Sequence, residues 1–127
     1  VFFGDVTEEQ KHVYEVVLEA NRAAMEKARP GATLREVHDA AVAVIQKAGY
    51  GAYFPHRTSH GIGIDYHEEP FDTPSRTRVL EEGMCFSIEP GIYLPGKFGV
   101  RIEDLVALTP DGPLTLTHAP KDLCVIG

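Results

Sequence analysis

From Glu8 onward the apolar residues Val13, Val16, Val17, Ala20, Ala24 and Ala28 recur three or four positions apart, the period at which one face of a helix repeats. Thr7 and Gln10 form a T-x-x-Q capping box ahead of them and Pro30-Gly31 follows, so the pattern predicts a helix over about 8–28. A second box, Thr33 to Glu36, opens a run with Val37, Ala40, Ala41, Val44, Ile45 and Ala48 on one face. Closed by Gly49, it predicts a helix over about 34–48. After Tyr50 the helical period disappears. Short β-type runs broken by Gly and Pro replace it, at Gly61–Tyr66, Met84–Glu89 and Val100–Leu108, and predict three strands or more. Residues 70–83, with Pro70, Pro74 and many charges, read as an exposed connection, and Thr109–Pro113 (T-P-D-G-P) reads as a turn. Two helices followed by strands make an α+β fold, with the helices covering one face of a curved, largely antiparallel sheet.

The 127 residues, 43% of them hydrophobic, suffice for one domain with a modest core, and no repeat or linker divides them. A formal charge of -7 repels phosphate backbones and anionic membranes, which excludes nucleic acid and membrane surfaces as expected partners. No apolar run approaches the roughly 18 residues needed to span a bilayer, and the N-terminus lacks signal-peptide character; a cytoplasmic location is expected. Cys85 and Cys124 are far apart and flanked by apolar residues, which predicts buried free thiols over a disulfide. Residue 1 is Val, so the chain reads as a processed product, a fragment or an engineered piece.

Chemistry concentrates in the second half. His56, His60 and His67 fall within Pro55–Pro70, where Pro55, Gly61 and Gly63 argue against the helix of an H-E-x-x-H zinc site. In an extended segment His56 and His60, an even number apart, share a face, while His67 needs a bend or bulge to join them. Glu89 (Ser-Ile-Glu-Pro-Gly-Ile-Tyr) and Glu103 (Gly-Val-Arg-Ile-Glu-Asp) lie in apolar β-type runs, where a carboxylate is costly unless paired or bound to a cation. Two glutamates and a histidine form a mixed N/O donor set that suits Mn, Co, Zn or Fe better than Ca, and a bridging carboxylate extends it to two metals. Each residue alone has a plainer reading: a strand histidine is more often a core or surface residue than a ligand, and a strand glutamate usually faces solvent. His12, His38 and His118 keep that plainer reading. Arg101 is placed either to pair with Glu103 along its strand or to meet substrate, and Asp65 and Asp104 read as solvated or supporting groups.

Taken in order and spacing, His56–Pro70, Gly83–Tyr93 and Gly99–Asp104 resemble the signature segments of the pita-bread metallopeptidases, nearest to Xaa-Pro aminopeptidase and Xaa-Pro dipeptidase (prolidase). The resemblance covers essentially the whole chain. One departure is Ser59, where many members carry Gly. Residue by residue, the resemblance implies that His60 is a metal ligand, Glu89 a ligand and general base, and Glu103 a carboxylate bridging two ions. It places His56 and His67 along the substrate cleft, with His67 aimed at the scissile amide or the developing oxyanion. Arg101 is implied to hold Glu103 or to meet the substrate carboxylate. Two divalent ions are expected, manganese first and cobalt or zinc as alternatives, acting on peptides or dipeptides with proline at the second position. In such enzymes two aspartate ligands precede the sequence aligned with Val1–Thr7, and Asp5 matches neither. The chain is therefore expected to be the C-terminal portion of a catalytic domain, with the half bearing those aspartates upstream, and to be inactive alone. Its bare sheet edge predicts self-association as a homo-oligomer. The rival expectation is a non-catalytic pita-bread module that binds peptides or proteins; such modules lose ligand residues, whereas His60, Glu89 and Glu103 are all present.

Overall fold

The computed structural model describes residues 2–71 and 78–127. Helix α1 spans Glu8–Lys27 and α2 spans Leu34–Lys47, each one residue shorter at its C-terminal end than the period predicts. Both begin with reciprocal caps. Thr7 Oγ1 accepts from the Gln10 N–H at 3.2 Å while Gln10 Oε1 accepts from the Thr7 N–H at 2.8 Å. Thr33 and Glu36 repeat the arrangement at 3.2 and 2.8 Å. Donors that have no partner inside a helix are thus satisfied, worth about 1 kcal/mol per cap.

The helices bury one stripe each, Val13, Val17, Ala20 and Ala24 from α1 and Val37, Ala41 and Ile45 from α2. These meet Phe86, Ile88, Val106 and Leu108 from the sheet in one core. That sheet has five strands in the order β3-β2-β4-β7-β8: β2 (His60–Gly61), β3 (Glu68–Phe71), β4 (Cys85–Ile88), β7 (Asp104–Thr109) and β8 (Gly112–Thr115). All its neighbours are antiparallel. A separate hairpin joins β5 (Gly91–Leu94) to β6 (Phe98–Arg101), and β1 (Phe2–Phe3) runs parallel to β9 (Val125–Ile126). Asn21, buried in the middle of α1, ties the layers by donating from Nδ2 to the Ile88 carbonyl at 3.3 Å.

Four expectations need correction. The Gly61–Tyr66 strand does not form: β2 ends at Gly61, residues 63–67 bend, and β3 begins at Glu68. The bend works because Gly61 has no side chain; a Cβ there would overlap the backbone of Glu68 and Glu69. Next, the Val100–Leu108 run divides into β6 and β7, with Ile102 and Glu103 between them, and β5 was not anticipated as a strand of its own. Third, within the 70–83 connection residues 72–77, including Pro74, lie outside the described residues, while Pro70 belongs to β3. Leu80 is 1% exposed and exchanges backbone hydrogen bonds with Gly31 and Ala32. Fourth, both cysteines are free as expected, but Cys124 is exposed and Cys85 only partly buried. The turn after Thr109 forms where T-P-D-G-P places it, joining β7 to β8.

Candidate functional site

The register of the sheet decides what each residue can reach. Strand β4 pairs with β7 as Cys85↔Ala107, Phe86↔Val106, Ser87↔Leu105 and Ile88↔Asp104. Paired residues share a face and neighbours alternate. Phe86, Ile88, Asp104 and Val106 therefore face the helices, and Ser87 and Leu105 face the other way. Glu89 and Glu103 stand one residue beyond the last pair of this ladder, and the alternation puts both on the face away from the helices. Strand β2 joins through Gly61↔Phe86, which turns His60 toward Ser87 on that same open face.

Side-chain contacts agree with this placement. The His60 N–H donates to Ser87 Oγ at 3.1 Å, and Ser87 Oγ donates onward to Glu89 Oε1 at 3.0 Å. The Glu89 N–H donates to the Thr58 carbonyl at 2.8 Å, locking the two segments together. His60 Nδ1 donates to the Gly61 carbonyl at 2.9 Å, which leaves the lone pair on Nε2, and Nε2 stands 3.1 Å from Glu89 Oε1. Arg101 donates from a terminal guanidinium nitrogen to Glu89 Oε2 at 3.2 Å. Glu89 is 8% exposed, so its carboxylate is a desolvated acceptor, held by Ser87 at Oε1 and by Arg101 at Oε2.

The bend at 63–67 brings His67 back over this pair. Its ring centroid lies 4.0 Å from that of His60, with Tyr66 at 4.4 Å from His67. His67 is exposed, so it stands at the mouth of the site. His56 lies before β2, outside any strand. Its Nδ1 donates to the Arg57 carbonyl at 2.8 Å, and its Nε2 accepts from the Tyr93 hydroxyl at 2.9 Å. Both nitrogens are thus engaged within the chain. Burial pushes the Tyr93 phenol above its usual 10.0, with the Arg101 guanidinium opposing and the Glu89 and Glu103 carboxylates reinforcing. Tyr93 stays a neutral donor well beyond neutral pH.

Glu103 is exposed and takes no part in the His60–Glu89 contact. Among the described residues no group of three or more His, Cys, Asp or Glu side chains stands close enough to hold a metal ion. The structure thus brings His60, Glu89, Arg101 and His67 together and sets Glu103 on their face of the sheet without bringing its carboxylate to the pair. Arg101 makes its ion pair with Glu89, and the Glu103 carboxylate also acts on its charge.

Two participants were not singled out from the sequence. Ser87 stands two residues before Glu89 on the same strand face, and Tyr93 four residues after it; period-two alternation identifies the first, but only the β5–β6 hairpin brings the second to His56. His38 keeps its plainer reading, as a buried residue bonded through Nδ1 to Thr58 Oγ1 at 2.8 Å.

The donors suit a divalent cation. His60 Nε2 and Glu89 Oε1 are both acceptors, and at their separation either a proton or a metal ion must lie between them. An imidazole nitrogen with carboxylate oxygens is the ligand chemistry of Mn, Co and Zn.

Comparison with known proteins places this arrangement. The model of metallopeptidase family M24 matches residues 1–110. An Xaa-Pro dipeptidase from Lactobacillus helveticus is 53% identical over 126 residues, covering 99% of this chain and 34% of that protein. A recombinant prolidase from Thermococcus sibiricus superposes with a TM-score of 0.94 at 50% identity, over 99% of this chain and 34% of its own. The dipeptidase PepE from Mycobacterium ulcerans gives 0.93 at 44% identity, over 98% and 33%. The chain spans about a third of the length of the curated relatives it matches.

Proposed function

Because the chain belongs to metallopeptidase family M24, with the pita-bread α+β fold of its structural neighbours, we propose that it carries part of the active site of a metal-dependent Xaa-Pro dipeptidase. The observation that supports this most is the His60 Nε2–Glu89 Oε1 contact at 3.1 Å on the open face of the sheet, with Glu103 one residue before β7 as Glu89 is one residue after its partner β4. In this reading His60, Glu89 and Glu103 are the ligands this segment supplies, and two aspartates upstream of Val1 complete the set. Manganese is the first candidate, with cobalt or zinc next. The full protein is read as a cytoplasmic homo-oligomer.

Bound divalent ions supply acidification of the attacking water and polarisation of the scissile carbonyl. The chain's own residues do the rest. Glu89 Oε1 takes the proton of the attacking water, and Ser87 fixes that oxygen's direction by donating to it. Arg101 holds Oε2, which keeps the carboxylate from rotating away. The Gly61 carbonyl holds the proton of His60 on Nδ1, so Nε2 remains a donor of its lone pair. His67, at the mouth, hydrogen-bonds the scissile amide or stabilises the oxyanion as charge develops. His56 forms a fixed wall of the cleft, oriented by Tyr93 and the Arg57 carbonyl. A dipeptide with proline second is the expected substrate.

The test uses the full-length protein that carries this segment, loaded with manganese chloride and given a leucyl-proline dipeptide. Release of proline that vanishes on chelation and returns with metal is the expected result. Metal bound no better than background, with hydrolysis at the uncatalysed rate, would end the peptidase reading.

A further inference from the structure

Asp104 is 2% exposed and faces the helices, next to Glu103 in the chain, on the same side of the sheet as Phe86, Ile88 and Val106. A charge in such a layer destabilises the fold unless it is fully partnered, and an apolar residue of similar size serves stability better. Asp104 is only half partnered. Its Oδ1 accepts from Thr117 Oγ1 at 2.9 Å and from Lys121 Nζ at 2.9 Å, while Oδ2 is buried without a hydrogen-bond partner among the described residues. The partners extend inward. Thr117 Oγ1 also accepts from the Leu105 N–H at 3.3 Å, and the Lys121 carbonyl accepts from the Tyr14 hydroxyl of α1 at 3.1 Å. Thr117 and Lys121 lie beyond the residues 1–110 matched by the family model. With Tyr14, Arg101 and Glu103 they line a pocket of about 180 Å³.

We propose that Asp104, clamped by Thr117 and Lys121, is a positioning residue that sets the direction of Glu103. The need for one follows from the fold: Glu103 falls between β6 and β7, outside both strands, directly after Ile102, whose N–H donates to the Pro90 carbonyl at 3.3 Å. On the other side of Glu103 stands Asp104, whose side chain is held by Thr117 and Lys121. The C-terminal segment thereby reaches the open face through one residue of β7. This rests on the reading of Glu103 as a ligand, and the measurements separate the two.

In the full-length protein, Asp104→Asn, Thr117→Val and Lys121→Met are titrated with manganese chloride, and amide exchange at Leu105 is followed in the metal-free state. Each variant is expected to weaken manganese binding by about ten- to a hundredfold. The rate constant of the bound substrate should fall by a similar factor while KM changes less than about twofold, since geometry is lost and not substrate contact. Leu105 exchange should accelerate in Asp104→Asn and Thr117→Val without metal present. Combining Asp104→Asn with Lys121→Met should weaken binding no further than either alone. Variants that bind manganese as wild type does, whatever their melting temperature, overturn the clamp while leaving the peptidase reading intact. Wild-type protein that binds no manganese overturns that reading and the clamp's purpose together. If Asp104→Asn does not fold, Lys121→Met and Thr117→Val carry the same test.

Discussion

On the helix side of the sheet stand Phe86, Ile88, Val106 and Leu108, each no more than 2% exposed; one residue along the same strands, on the other side, stand Ser87, Glu89, Glu103 and Leu105. The first set joins one hydrophobic core with residues of α1 and α2. In the second, Ser87 and Glu89 exchange hydrogen bonds and ion pairs with each other, His60 and Arg101. A slip of one residue would carry Glu89 and Glu103 into the core and Phe86 into the cleft, so the core and the site specify the same register. One face supplies cohesion and the other chemistry, and each should respond to substitution in its own currency.

The largest expected effect lies on the open face. Glu89→Gln keeps the size and an acceptor for Ser87 while removing the charge and the base. Hydrolysis by the full-length protein should fall about 10²–10⁴-fold, with stability shifted by less than about 1 kcal/mol. A melting temperature that collapses with the rate would merge the two faces into one structural unit and break the contrast.

Next comes the closed face. Phe86→Ala empties a fully buried position and should lower unfolding free energy by about 3–5 kcal/mol in urea titration. Leu105→Ala, on the open face and only partly buried, should lose less than about half as much. Equal losses would mean that the open face is packed as a core.

Much of this division is legible in the sequence, and its gaps have physical reasons. The helices are readable because capping chemistry and a period of 3.6 report the same boundaries locally, as at Thr7–Gln10 and Thr33–Glu36. Strand β4 is readable because Cys85–Ile88 is continuous. The end of β2 at Gly61 is not, because it depends on Glu68 and Glu69 folding back against a glycine, a contact between segments. The division of Val100–Leu108 likewise reflects two different partners, β5 for one half and β4 for the other. At the site, residue types and motif order single out His60, Glu89 and Arg101, but the partner of Arg101 is a matter of three-dimensional reach. Cys124 was misread because apolar neighbours in sequence do not bury a residue in a terminal segment.

A smaller effect tests the rim where the faces meet. Tyr93→Phe removes the hydroxyl that donates to His56, at a cost of about 1 kcal/mol. The pH dependence follows from the raised Tyr93 phenol. A pKa above the unfolded value of 10.0 means that the stabilising form is the protonated one, fully present below that pH and lost as pH rises through the folded value. The difference in stability between wild type and Tyr93→Phe should therefore be flat from neutral pH to about 9 and shrink above 10. A difference that shrinks on acidification from neutrality would show that the Tyr93 phenol does not set the pH response of this bond.

The smallest effect has the opposite sign. Continued past β2, the ladder sets Ser59 beside Ile88 on the closed face, in one row with Asp104. Ser59 is 3% exposed and its hydroxyl is buried without a hydrogen-bond partner among the described residues, as is Asp104 Oδ2. Among the described residues these two carry the buried side-chain oxygens without a hydrogen-bond partner, but they differ in what they are tied to. Asp104 holds Thr117 and Lys121, whereas the Ser59 hydroxyl holds nothing that the fold uses. Ser59→Ala removes an unsatisfied polar atom and keeps the Cβ, so it should stabilise the protein by up to about 1 kcal/mol, read as a rise in the midpoint of thermal unfolding, with hydrolysis unchanged. A lower midpoint, or a loss of metal binding at the adjacent His60, would give the hydroxyl a partner in the working protein and make this row of the closed face part of the site.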